Sequence, residues 1–230
     1  MLLFLLACPH PTVAPPVVVP VSIAPAQEPL GYLPRGPVSF DARDTVVGNA
    51  SAPMAILEFS DFQCPHCALT YPILSDYVEK FKDTRLIYKN YPITNICNPN
   101  VAWEGHINAC TAATAGICAE AQGHFDALAR QMFAHPDRLM SEQMLLMAGE
   151  AGIELEPFMR CLTSEAPAAQ LKADIQAASE AGITGTPTLY VWGPWGDRWV
   201  QVPGPDLVIQ VMDLARAHQT LPEPQPAQRE

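Results

Sequence analysis

The sequence predicts an α/β chain in which one mixed sheet is covered by helices. Three observations lead there: short apolar runs separated by helical periodicity, a long helix-rich middle, and a late pair of apolar runs around a Gly-containing turn. The first run, "MAILEFSDF" (54–62), is dense enough in apolar residues for a buried strand. Tyr71, Leu74, Val78 and Phe81 then recur at helical spacing, and "TRLIYKNYP" (84–92) returns to strand. From about 100 to 181 the chain is rich in Ala, Glu, Gln, Leu and Met with Gly and Pro punctuation, which suits several helices. "TPTLYVWGPWGDRWVQV" (186–202) reads as two strands around a turn. "PDLVIQVMDLARAH" (205–218) is a closing amphipathic helix opened by proline.

The 230 residues suit one domain with tails. About half are apolar and 16% are charged, which is enough apolar surface to close a core. Thirteen basic against 24 acidic residues give a formal charge of −11, with no basic stripe, and this excludes nucleic acid as a partner class. The acidity reads as a solubility feature. The opening "MLLFLLACPHP" is too short to span a bilayer and lacks a basic start, so Met1 need not be the true start codon. Leu5-Leu6-Ala7-Cys8 nevertheless resembles a bacterial lipobox, which makes Cys8 the expected lipid anchor. The bland alternative is an incidental cysteine in a short start. Nine prolines and almost no charge between Cys8 and Pro37 read as an extended spacer. The expected division is a signal, anchor and tether over 1–37, a domain over 38–218, and a frayed tail over 219–230. Pro9 after Cys8, in place of the aspartate associated with inner-membrane retention, weakly favours an outer membrane.

The chemistry lies in "SDFQCPHCALTYPIL" (60–74). Cys64 is expected where a strand ends and a helix begins, and Pro65 fits the first helical turn because its missing N–H costs nothing there. A thiolate at that point faces unpaired backbone N–H groups and the positive end of the helix dipole. His66 adds a tuning charge. Together these can draw a cysteine pKa down into a range of roughly 3.5 to 7.5. Cys67, one turn on, is the natural resolving thiol. A zinc ribbon would need a second pair at suitable spacing, and Cys97, Cys110, Cys118 and Cys161 do not form one. A purely structural 64–67 disulfide would close too short a loop to add much stability.

This stretch resembles the thioredoxin superfamily, and its CPHC resembles DsbA-like thiol–disulfide oxidoreductases. Pro72-Ile73-Leu74 matches the proline-kinked active-site helix, and Gly185-Thr186-Pro187-Thr188 the cis-proline loop. The resemblance covers about residues 38 to 218. It implies a thioredoxin fold with a helical insertion between the second and third core strands. It also implies that Cys64 is the nucleophile, Cys67 the resolver, and Glu58 the buried acid that moves the resolver's proton. Because both faces of "MAILEF" are otherwise apolar, a raised Glu58 pKa is expected. Pro187, if cis, with Thr186 and Pro65, would present the client-binding surface.

Four further cysteines allow three pairings, and an even count favours disulfides in an exported protein. The run "CNP…H…AC…CAEAQG" is similar to that of DsbA-like proteins related to vitamin K epoxide reductase partners, which implies Cys97–Cys110 and Cys118–Cys161. His106, His124 and His135 read as surface or helix-end residues. The four tryptophans and the group Met140, Met144 and Met147 read as core packing.

The function expected is that of an exported, lipid-anchored, monomeric enzyme of the periplasm or cell envelope. It donates its Cys64–Cys67 disulfide to reduced or unfolded envelope proteins. No cofactor beyond that disulfide and no metal is expected. Electrons would leave to a quinone-linked membrane protein, DsbB-like or vitamin K epoxide reductase-like. The alternatives are a reductase or disulfide isomerase using the same residues, or a non-enzymatic metallochaperone or binding module that has kept the fold.

Overall fold

In this computed structural model, residues 32–34, 44–195 and 198–217 are described. Cys8, most of the expected tether and the C-terminal tail lie outside them. Six strands form one sheet in the order β1-β6-β5-β3-β4-β2. The central strand is β3 (Met54–Ser60), every residue of which is buried, as its mostly apolar run suits a strand covered on both faces. β3 runs into α1 (Pro65–Lys80), and the chain returns as β4 (Thr84–Asn90), parallel to β3. β5 (Thr188–Trp192) lies antiparallel on the other side of β3, and β6 (Arg198–Val202) forms a hairpin with it. α7 (Pro205–Arg216) closes the order and packs against β5 and α1.

Five helices lie between β4 and β5, so the expected helical insertion is present. They are α2 (Ala109–Glu120), α3 (Phe125–Ala134), α4 (Ser141–Glu150), α5 (Leu155–Leu162) and α6 (Glu165–Glu180). The insertion and α1 share one core on one face of the sheet, in which Ile56, Tyr88, Tyr71, Leu74, Phe125 and Phe133 are buried. Asp126 ties the layers: it accepts hydrogen bonds from Tyr71 and Ser75 of α1 and from Arg130. A smaller core of Leu57, Phe59, Ile87, Tyr91, Ile183 and Trp199 lies against α6 on the opposite face.

Two strands escape the sequence pattern. β2 (Thr45–Gly48) pairs antiparallel with β4 at one edge, and β1 (Tyr32–Pro34) pairs with β6 at the other. Both are too short to show periodicity. β1 falls in the stretch that reads as a proline-rich spacer, and proline is tolerated in a strand at a sheet edge. Two residues expected in the core are not there. Trp103 is 57% exposed on the loop after β4, and Met140 is 61% exposed because its extended backbone at the N-cap of α4 puts it outside the inward stripe that buries Met144 and Met147. His124 and His135 flank α3 at its two ends.

Candidate active site

The strand-to-helix transition places Cys64 at the N-cap of α1 with Pro65 as the first helical residue. Its carbonyl accepts the first helical hydrogen bond, from Ala68 N at 3.0 Å. Cys64 and Cys67 are both free thiols, and their surroundings differ sharply. Cys64 Sγ sits 3.3 Å from the carbonyl oxygen of Thr186, to which the thiol donates, across the cis Thr186–Pro187 peptide. Its pKa is drawn down to about 5, first by a hydrogen bond from Cys67. Partial burial opposes this, while the Thr186 hydroxyl and the backbone N–H groups of Cys67 and His66 add to it. Thr186 Oγ1 is buried without another partner, so it is a spare donor for the anion. These are the unpaired amides of a helix N-terminus used as an anion cradle.

Cys67 is fully buried beneath. Burial pushes its thiol far up, and the neighbouring Cys64 and Glu58 push it further. Glu58 lies on β3 between Tyr88 of β4 and Leu189 of β5, at the centre of the sheet and out of water. Burial raises its carboxyl from 4.5 to about 8, against a lowering hydrogen bond from Ser60 Oγ, 2.9 Å from Oε1. Glu58 Oε2 has no partner. Ser60, which donates to Glu58, also draws the Cys67 thiol slightly down, so the hydroxyl acts on both the acid and the resolving thiol. An acid near 8 holds its proton at neutral pH and can still release it.

The structure therefore brings together Cys64, Cys67, Glu58, Thr186 and Pro187, with Pro65 and His66 exposed at the rim. The other four cysteines stand apart from this cluster as the pairs Cys97–Cys110 and Cys118–Cys161. Among the described residues no group of three or more His, Cys, Asp or Glu side chains converges as a metal site. No helix among them is long and apolar enough to cross a membrane.

Residues 41–195, more than half of the chain, match the thioredoxin family. The chain belongs to that family. This thioredoxin-family protein is also 30% identical over 151 residues to Na(+)/H(+) antiporter NhaA 3 of Salinispora tropica, covering 66% of this chain and 22% of the antiporter. It is 28% identical over 176 residues to NhaA 1 of Mycobacterium sp. strain KMS, covering 73% and 27%. The chain thus spans about a quarter of the length of these curated relatives. Among solved structures, a thioredoxin-like oxidoreductase from Silicibacter pomeroyi superposes with a TM-score of 0.62 at 24% identity, over 77% of this chain and 94% of that one. The thiol–disulfide exchange protein alpha-DsbA2 of Wolbachia pipientis gives 0.61 at 17%, over 76% and 88%. BdbD of Bacillus subtilis gives 0.57 at 20%, over 74% and 91%. These likenesses carry the fold.

Sequence reading passed over Asp61 and Gln63, and His106, expected as a surface or helix-end residue, is instead three-quarters buried on the loop between β4 and α2. Asp61 is buried, and its Oδ1 accepts Gln63 N at 2.7 Å while its Oδ2 accepts Ile93 N at 2.7 Å and meets His106 Nδ1 at 2.8 Å. An aspartate three residues before the N-cap was a legible turn signal. That a histidine 45 residues on would meet it was not.

Proposed function

We propose that this protein is an exported thiol–disulfide oxidoreductase that oxidises the dithiols of reduced or unfolded envelope proteins. The observation that carries the reading is the asymmetry of the pair: a stabilised anion at Cys64 over a buried, hard-to-ionise Cys67, with a protonated Glu58 beneath. A client thiolate attacks Sγ of Cys64 in the Cys64–Cys67 disulfide, forming a client–Cys64 disulfide and releasing the Cys67 thiolate. Glu58 gives its proton to that buried sulfur through Ser60. A second client thiolate then attacks the client sulfur of the mixed disulfide, and Cys64 leaves as the thiolate its cradle favours. The client gains a disulfide and the pair gains two electrons. A stable Cys64 anion makes the reduced pair the preferred product, which is what an oxidant needs.

Thr186 and Pro187, next to the reacting sulfur, suit backbone contact with an extended client. The two disulfides of the insertion support an oxidising compartment. Anchoring through Cys8, a monomeric state and reoxidation by a quinone-linked membrane protein of the DsbB or vitamin K epoxide reductase kind complete the proposal. Segments like this one within proteins named as antiporters support a place beside a membrane. Mixing the oxidised protein with a reduced, unfolded dithiol protein at pH 7 tests the activity. Stoichiometric client disulfide, absent with Cys64→Ser, is expected; exchange only in the reverse direction would give the reductase reading.

A further inference from the structure

CPHC is not the whole of the charge around Cys64. The loop between β4 and α2 folds back onto the active-site turn, and Asp61 is where the two meet. Besides its three side-chain contacts, Asp61 accepts Cys64 N at its backbone oxygen, 3.0 Å away. Gln63 Oε1 accepts Asn108 N at 2.6 Å, a second tie between turn and loop. His106 is fixed from three sides. Its N–H donates to Ile93 O at 3.1 Å, the Trp103 ring stands edge-on at 6.4 Å, and the Cys97–Cys110 disulfide clips the loop that carries it. A tie that only held structure would need no charge. Here a carboxylate buried in the turn faces an imidazole that is three-quarters buried, an arrangement that favours the imidazolium.

We propose that Asp61 and His106 form a positioning pair that holds a positive charge beside the turn carrying Cys64 and, with the N-terminus of α1, sets the oxidising strength of the Cys64–Cys67 pair. The imidazole is pushed toward its charged form first by the hydrogen bond to Asp61, against partial burial, and then by the negative charges of Asp61 and Cys64. Coulomb interaction is reciprocal, so the imidazolium stabilises the thiolate by as much as the thiolate stabilises it. Near pH 5, where Cys64 titrates, His106 is charged. Cys67, Thr186, the amides of α1 and Glu58 also act on Cys64, and none of them is a fixed cation; the Asp61 carboxylate in the same turn opposes His106, which is why removal of the imidazolium alone is the informative change. His66 stands exposed, where water screens it.

The proposal rests on the exchange reading, and its test separates the two. His106→Gln keeps a donor for Asp61 and removes the charge; His106→Lys and His106→Arg keep the charge. The pH profile of alkylation at Cys64, followed by peptide mass, reports the thiolate directly. Equilibration with glutathione buffers reports the pair. In His106→Gln the Cys64 midpoint is expected to rise by about half to one pH unit, and the equilibrium to move about threefold to tenfold toward the disulfide. At least one of the charged variants should restore both, with thermal midpoints alike across the set. An unchanged Cys64 profile in His106→Gln, or the same displacement in all three variants, overturns the proposal. A wild-type pair that does not equilibrate with glutathione would instead overturn the exchange reading, and the alkylation profile would still decide the role of His106.

Discussion

The six cysteines of the folded domain fall into two regions, and the contrast between them separates reactive from inert sulfur. In the insertion, Cys118 and Cys161 staple α2 to α5, and Cys97 and Cys110 clip the loop that opens the block. At the end of β3, Cys64 and Cys67 sit at the N-terminus of a helix, one under hydrogen-bond donors and one over a buried acid. Residue type is shared, and burial does not separate the two, since Cys118 of a staple is as buried as Cys67. What differs is whether the surroundings hold the sulfur as an anion. Reactivity here is a property of backbone amides and of Glu58 more than of cysteine.

The largest effect that can break this contrast is loss of the nucleophile. Cys64→Ser should abolish client oxidation, while Cys67→Ser, given a client that already carries a disulfide, should trap a Cys64–client mixed disulfide visible on a non-reducing gel, because the Cys64 thiolate opens the client disulfide and no Cys67 remains to resolve it. Next comes the acid. Glu58→Gln should slow client oxidation by about a hundredfold at pH 7, the usual worth of a general acid. It should also stabilise the fold. With its carboxyl raised from 4.5 to about 8, the folded chain holds a proton that the unfolded chain loses across that window. Wild-type stability therefore falls as pH rises from 4.5 to 8. Glu58→Gln lacks that fall, so urea unfolding should show its advantage growing toward pH 8 to a few kcal/mol. An advantage that does not grow with pH would deny the buried acid.

The staples should respond in the opposite way. Replacing Cys118 and Cys161 by alanine opens a loop with a sequence separation of 43 and should cost up to about 4 kcal/mol in the chain-entropy model, without changing exchange per folded molecule. Replacing Cys97 and Cys110, separated by 13, should cost up to about 3 kcal/mol. Of the two changes only this one should also raise the Cys64 midpoint, because it frees the loop that carries His106. This is the smallest effect, and it sharpens the contrast by linking one staple to the reactive pair.

Local signals made the reactive region legible in the sequence. An apolar strand, a helix-starting proline and a cysteine pair lie within 15 residues, and Glu58 stands out as the one acid within "MAILEF", where both faces are otherwise apolar. The resemblance of CPHC to DsbA-like proteins supplied Thr186 and Pro187, which no spacing rule joins to a cysteine more than 120 residues away. The edge strands were missed because three or four residues carry no period. Trp103 and Met140 were misread because amino-acid type says nothing of which way a loop or an N-cap faces. His106 was misread as a surface residue for the same reason: its meaning lies in a contact with Asp61 that only the returning loop creates.

The central claim is that the pair gives its disulfide away, and its reduction potential tests this most directly. Cys64–Cys67 would be equilibrated against glutathione buffers and its thiols trapped. The account predicts a potential above about −180 mV, on the oxidising side of the glutathione couple, as a thiolate drawn down to about 5 requires. A potential near −270 mV, the range of a thioredoxin reductant, would contradict it.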